Sequence, residues 1–236
     1  MMNLKSQLIK LKHTMIIPIL FIVPIVLVSL FGFLAFYSQQ MEYSVFRVTS
    51  LQLFLQLGFP LTMTVVIGLC FRMERRNKAF QNTIIYFKNF WTYYISQFIF
   101  YVFLGWLMIT IGYLLQTIYY AVLVHQESMW SLNWIAVYVE LLIVVLPMIS
   151  FIYMINYLFQ GFVLPSLVSL VLIFGGLFVG VLGTIVSYFY FYAYPIFTLY
   201  NGYDKWILMI LSIILTALFL WIGYKILLKH MERGKL

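Results

Sequence analysis

Apolar residues fill positions 15–37, 51–71, 91–119, 132–157, 162–187 and 206–228 almost without interruption, and charged residues gather between these runs. Each run is close to or above the roughly twenty apolar residues that a helix needs to cross the hydrocarbon of a bilayer. Lipid offers no partners for backbone N–H and C=O groups, so such runs must satisfy their hydrogen bonds internally, as helices do. The pattern predicts an all-α polytopic membrane protein with six transmembrane helices. No hydrophilic segment is long enough to fold separately, so residues 1–236 are expected to form one transmembrane domain.

The polar positions carry the topology. Residues 1–14, MMNLKSQLIKLKHT, place Leu4, Leu8 and Leu11 at helical spacing beside Lys5, Lys10 and Lys12. This is the pattern of an amphipathic helix lying in the membrane interface. A basic segment followed by an apolar run is also how a signal peptide reads. The run at 15–37 is longer than a signal core and ends in Ala-Phe-Tyr without a small-x-small cleavage site, so it is expected to stay as an anchor. Pro18 and Pro24 are expected to bend it. The second charged segment, residues 71–90, carries Arg72, Arg75, Arg76, Lys78 and Lys88 against Glu74. The third is the C-terminal run with Lys225, Lys229, Arg233 and Lys235. Of the fourteen Lys and Arg residues, all but Arg47 and Lys205 belong to these three segments. Positive charge collects on the cytoplasmic side, which predicts both termini inside and residues 38–50 and 124–131 in outer loops.

The basic segment at 72–90 has a further pattern. Phe80, Ile84 and Phe87, followed less regularly by Trp91, recur at spacings of three and four. A helix with one apolar face has this spacing. Two readings stand side by side: a loop whose charge only sets topology, and a cytoplasmic docking helix presenting Glu74, Arg75, Arg76, Phe80, Ile84 and Phe87 to a partner.

Composition narrows the chemistry. Apolar residues make up 65% of the chain and charged residues 8%, against roughly 25% charged in soluble proteins. The net charge of +8 follows the topology, so anionic lipid headgroups explain it and nucleic acid does not. A single cysteine, Cys70, excludes an internal disulfide and a cysteine-based metal cluster. The chain has no Gly-x-x-x-x-Gly-Lys-Ser/Thr phosphate loop, no Gly-x-Ser-x-Gly elbow and no His-Glu-x-x-His zinc helix. Asp204 is its one aspartate, and His13, His125 and His230 fall at or outside the interfaces. An intramembrane enzyme is therefore not expected, nor is a cofactor held by this chain.

A few polar residues inside the spans are candidate functional positions. Gln52 and Gln56 are one turn apart and share a face, which should meet protein, water or headgroups. Glu140 is the one acidic residue well inside a run, about 12 Å from its outer end at 1.5 Å per residue. It is expected to be paired, hydrated or protonated, with Gln52 or Gln56 as candidate partners. Gly176 and Gly180 form a small-xxx-small pair that permits close helix contact. Residues 188–205, YFYFYAYPIFTLYNGYDK, read first as an interfacial aromatic belt. Pro195 and Asn201-Gly202 break regular structure there, which leaves a short interfacial or re-entrant hairpin as the alternative.

The Lys-Leu-Lys segment at 8–14, the Glu-Arg-Arg opening and Gln81-Asn82-Thr83 within 74–83, six spans, an aromatic outer segment before the last span and a basic tail make a recognisable layout. It resembles the permease subunits of type-2 (ABC-2) ABC exporters, especially the small permeases of bacterial lantibiotic self-protection transporters. The likeness covers nearly the whole chain as a layout, and its motifs are confined to the two short segments. It implies a half-channel in the bacterial cytoplasmic membrane that pairs with a second permease and with two separate ATPase subunits, where ATP and Mg are bound. It implies that the segment after span two is the coupling helix, with Glu74, Arg75 and Arg76 at its opening and Phe80 as its apolar anchor. It also implies that spans two and five line the central interface, where Gln52, Gln56, Gly176 and Gly180 would lie. The cargo expected is an amphipathic peptide of the lantibiotic or bacteriocin type. Span five departs from the family layout in its many glycines and lack of charge. A related permease for a toxin peptide, drug or lipid is the nearest alternative, and the substrate-binding membrane module of a vitamin importer is the alternative from another class.

Overall fold

The computed structural model describes residues 14–37, 42–76, 90–124, 132–159, 163–179, 184–200 and 202–232. All regular structure among them is helical. The first element, α1, is Ile16–Tyr37, with Pro24 inside it. Next, α2 (Tyr43–Leu53) runs through a π-helical turn at Phe54–Gly58 into α3 (Phe59–Arg76). After it come α4 (Phe90–Val124), α5 (Leu132–Val144), α6 (Leu146–Leu158) and α7 (Val163–Val179). Thr184–Phe189 (α8), a 3₁₀ turn at Phe191–Ala193 and Tyr194–Phe197 (α9) lead to the last helix, α10 (Lys205–Glu232).

Among the described residues, five helical stretches are long and apolar enough to cross a membrane: Ile16–Tyr37, Tyr43–Glu74, Phe90–Leu123, Trp134–Leu158 and Lys205–Glu232. The chain is thus an all-α polytopic membrane protein. Within the run at 162–187 the described residues form the 17-residue α7 and the 6-residue α8. At 1.5 Å per residue α7 reaches about 25 Å, short of the roughly 30 Å hydrocarbon core.

Two junctions in the long spans follow from proline chemistry. Pro60 has no N–H and its ring crowds the carbonyl four residues back, at Gln56. The backbone widens into the π-turn just before Pro60, and the helix continues. At the second junction, Val145 separates α5 from α6, whose second residue is Pro147. The Trp106 indole donates to the Leu142 carbonyl there at 2.8 Å, supplying a side-chain donor beside the break.

The second span also starts earlier and ends later than its apolar run. Residues 43–50 were expected in an outer loop but form the first turns of α2, because Phe46 and Leu51 pack into the bundle. At the other end, Phe71, Met73 and Glu74 continue α3 and do not open a loop. The N-terminal segment at 1–13 and the proposed docking segment at 77–89, with Phe80, Ile84 and Phe87, lie outside the described residues, as do the side chains of Arg75 and Arg76.

Packing centres on α3, α4 and α6, with α10 lying along α6 and α1 along α4 and α2. The core between them is unusually aromatic: Tyr93, Tyr94, Tyr101, Tyr113, Tyr153, Tyr157, Phe54 and Phe59 are all nearly fully buried. Hydroxyls and indoles stitch neighbouring helices where hydrocarbon would leave them unsatisfied. Tyr119 donates to Ser29 at 2.7 Å, joining α4 to α1. Tyr113 donates to the Trp134 carbonyl, and Trp134 Nε1 donates back to Thr117, each at 3.0 Å. Gly223 of α10 admits the Tyr94 phenol so closely that a Cβ would stand 2.3 Å from its oxygen.

The aromatic stretch before α10 turns into the protein. Tyr192, Ala193, Tyr194, Ile196 and Phe197 are all buried, so this part is no interfacial belt. Pro195 at the start of α9 and the 3₁₀ turn shape an inward-folded segment that packs against α7 and the π-turn. Burial pushes the Tyr194 phenol up to about 12, and its hydroxyl donates to the Tyr188 carbonyl.

Candidate functional site

The polar residues of the second span mark two centres, at opposite ends of one helix. From Gln52 to Glu74 the chain advances twenty-two residues, or about 33 Å along the axis.

At the first centre Gln52 and Gln56 line a cavity of about 390 Å³. Gly176 and Leu177 of α7 and Ile196, Phe197, Tyr200, Gly202 and Tyr203 of the segment before α10 complete its lining. The two amides reach one space because they are a turn apart on α2 and the π-turn. The inward-folded segment supplies the facing wall. Three of the four residues expected at a span two–span five interface (Gln52, Gln56 and Gly176) therefore share one pocket. Gly180 lies outside the described residues. Mixed amide, phenol and aliphatic lining suits an amphipathic group.

The glycines of α7 do something other than seat a second helix. A Cβ on Gly175 would stand 2.2 Å from the Tyr190 hydroxyl oxygen, and one on Gly176 would stand 3.4 Å from the ring. Tyr190 lies over this flat strip and donates to the Leu172 carbonyl. The small-residue stripe receives a ring from the segment that follows it, and Gly176 keeps its other side in the pocket wall.

Glu140 is not beside Gln52 or Gln56 in the contacts it makes. Its carboxylate pairs with Lys205 at 3.2 Å. The expectation of a paired acid holds with a different partner, because the end of the aromatic segment brings the first residue of α10 against α5.

The second centre surrounds Glu74, which is 9% exposed. Gln97 Nε2 donates to Glu74 Oε2 at 2.6 Å and to the Tyr93 hydroxyl at 2.6 Å. Tyr93 donates to the same carboxylate oxygen at 3.3 Å. On the other side of the amide, Tyr157 donates to Gln97 Oε1 at 3.0 Å, and the Tyr153 hydroxyl lies 3.3 Å from it. Tyr153 also donates to the Tyr94 carbonyl at 2.9 Å. Gln97 thus joins the end of α3 to α4 and α6 through both faces of its amide. Five side chains, one of them a carboxylate, bond in one buried network more strongly than they would in water, and each bond is costly to leave unmade.

Read from the sequence alone, Glu74 belongs to a docking loop, and Gln97, Tyr93, Tyr153 and Tyr157 are ordinary residues of apolar runs. The usable signal was Gln97 itself. An amide in the middle of an apolar run needs partners, as Gln52 and Gln56 do, and phenols at 153 and 157 sit one turn apart. Among the described residues, His, Cys, Asp and Glu do not gather into a group of three or more. No protein-family model, curated protein or solved structure matches the chain.

Proposed function

We propose that the chain is the membrane-spanning permease subunit of an ABC exporter of type 2, resembling lantibiotic self-protection permeases. In this reading α7 and α8 together make the fifth of six crossings, and both termini face the cytoplasm of a bacterial cell. ATP hydrolysis belongs to a separate chain, and a second permease subunit completes the path. The exported cargo is an amphipathic peptide such as a lantibiotic or bacteriocin.

One observation carries the reading. A single helical span, Tyr43–Glu74, lines the Gln52/Gln56 pocket at one end and continues at the other into the basic segment proposed to dock the ATPase. The Glu74–Gln97–Tyr157 network anchors that lower end to α4 and α6. A push on the docking segment therefore reaches the pocket wall through one continuous element. A cavity of about 390 Å³ holds a side chain or small molecule rather than a whole peptide, which suits half of a path completed by a second subunit. The same volume favours one second reading, a small-molecule binding module of an importer.

Purification from native membranes in mild detergent tests both. The exporter reading expects a co-eluting ATPase whose turnover rises with an amphipathic cationic peptide. Retention of a tightly bound small molecule, with no response to peptide, would replace it with the importer module.

A further inference from the structure

Arg47 lies one turn into α2 and is 7% exposed. Among the described residues no carboxylate stands within ion-pair distance of it, and its Nε has no hydrogen-bond acceptor. Its guanidinium sits 5.5 Å from the centre of the Tyr43 ring. Tyr43 in turn interacts with Tyr113 and Gln116 of α4 as well as with Arg47. These groups are close but not aligned as hydrogen bonds: the Tyr43 hydroxyl and both amide atoms of Gln116 are buried without a partner. Gln116 is fully buried.

A permanent cation and a buried amide are expensive to leave unmatched in a membrane protein. Here they converge with a phenol, so the cluster offers several donors, one full positive charge and, among the described residues, no neutralising acid. That is the chemistry of an oxyanion site, since a guanidinium binds phosphate or carboxylate through its planar fork. Depth narrows the choice. The exposed Glu42 and the half-buried Ser44, whose hydroxyl donates to the Glu42 carboxylate at 2.7 Å, mark the start of α2. Arg47 lies about 6 Å further along the axis from Tyr43. A headgroup layer is about 5–8 Å deep on each side of the hydrocarbon. Arg47 therefore sits at the level of lipid phosphates, whichever side of the membrane this end faces.

We propose that Arg47, Tyr43 and Gln116 form a binding site for a phosphate group between α2 and α4, supplied by an anionic lipid headgroup or by free phosphate. The site is independent of the permease reading. It would fasten the start of α2 to α4 and so fix the outer part of the helix that lines the pocket.

The test uses the purified full chain in a neutral maltoside detergent, titrated with phosphatidylglycerol in mixed micelles, with inorganic phosphate, and with a phosphate-free glycolipid. Thermal unfolding is the readout, with bound lipid counted by native mass spectrometry. Phosphatidylglycerol should raise the wild-type midpoint, and its apparent affinity should fall at least tenfold in Arg47→Gln and also weaken in Gln116→Leu. A response to the lipid alone identifies the headgroup, and an equal response to inorganic phosphate identifies the free ion. Gln116→Leu removes an unpartnered amide and should fold at least as well as wild type, so it decides the matter if Arg47→Gln does not fold. Absence of any phosphate-dependent shift, or equal shifts in wild type and both variants, would overturn the site.

Discussion

Lys205 Nζ stands 3.2 Å from Glu140 Oε2, and the pair joins the first residue of α10 to α5. The contact is ionic and not an aligned hydrogen bond, since Oε2 accepts none. The side chains retain 31% and 13% of their exposure, so solvent screens the pair in part. Its strength should fall between that of a surface pair and that of a buried one. Glu140→Gln and Lys205→Met should each lower stability by about 1–2 kcal/mol, and the double variant should regain most of it. Thermal unfolding in detergent checks this. Singles that add without recovery would mean the two residues act separately.

Gln97 predicts a larger effect. Gln97→Leu keeps the volume but leaves Glu74 and the phenols of Tyr93 and Tyr157 short of a partner. Loss of a buried donor or acceptor costs about 1–3 kcal/mol per group left unmatched. Tyr157→Phe removes a single donor to Gln97 and should cost about 1 kcal/mol. Unfolding midpoints of the three proteins should therefore run wild type, Tyr157→Phe, Gln97→Leu in falling order. A Gln97→Leu protein as stable as wild type would show that the network is not holding α3.

Neighbouring glycines on α7 should respond differently to the same methyl group. Gly175→Ala brings a Cβ to 2.2 Å from the Tyr190 hydroxyl and must displace it from the Leu172 carbonyl. Gly176→Ala meets the ring at 3.4 Å, a contact that a small shift relieves. Overpacking of the first kind costs about 1–3 kcal/mol, and the second variant should stay within about 0.5 kcal/mol of wild type. Adding Tyr190→Phe to Gly175→Ala should restore part of the loss, because the clashing oxygen is gone.

The residues that were legible from the sequence were those whose chemistry is local. Runs of apolar residues led directly to helices, and the turn-spaced amides Gln52 and Gln56 do line one pocket. Less legible was anything decided by the far partner. The aromatic stretch at 188–205 has the composition of an interfacial belt, yet Tyr192 and Tyr194 are buried, because the segment packs against α7 and the π-turn. Glu140 was expected near the glutamines, and only the placement of Lys205 by that inward-folded segment explains its actual partner. Glu74 misled for a related reason. Four charges in the five residues 72–76 look like solvent, but the Glu74 carboxylate is buried on the Gln97 amide of α4, and the span runs on to it.

Topology can be read by labelling in a Cys70→Ser background. The proposed six-crossing topology expects Ser44, Gln126 and Asn201 outside and Lys78 and Lys235 inside. Cysteines at the first three positions should react with an impermeant thiol reagent in whole cells, and those at Lys78 and Lys235 should react only after permeabilisation. Reaction of Lys78→Cys in intact cells would invert or break the six-crossing arrangement.

The docking proposal turns on separating Glu74 from Phe80. Glu74 is buried at the end of α3 and bonded by Gln97, so Glu74→Lys would put a cation where the network holds its one anion and damage folding before docking. It is the wrong probe for a partner. Phe80 belongs to the apolar series Phe80, Ile84 and Phe87 of the basic segment, and aspartate there would place an unpaired charge in any apolar contact, at a cost of several kcal/mol. Phe80→Asp should therefore keep normal membrane levels and an unchanged unfolding midpoint while losing the co-purifying ATPase. Glu74→Gln should lower the midpoint through a weaker bond to Gln97 and retain the ATPase. The two variants thus divide stability from docking. If Phe80→Asp holds its ATPase and full transport, the segment serves only to set topology, and the exporter reading loses its principal support.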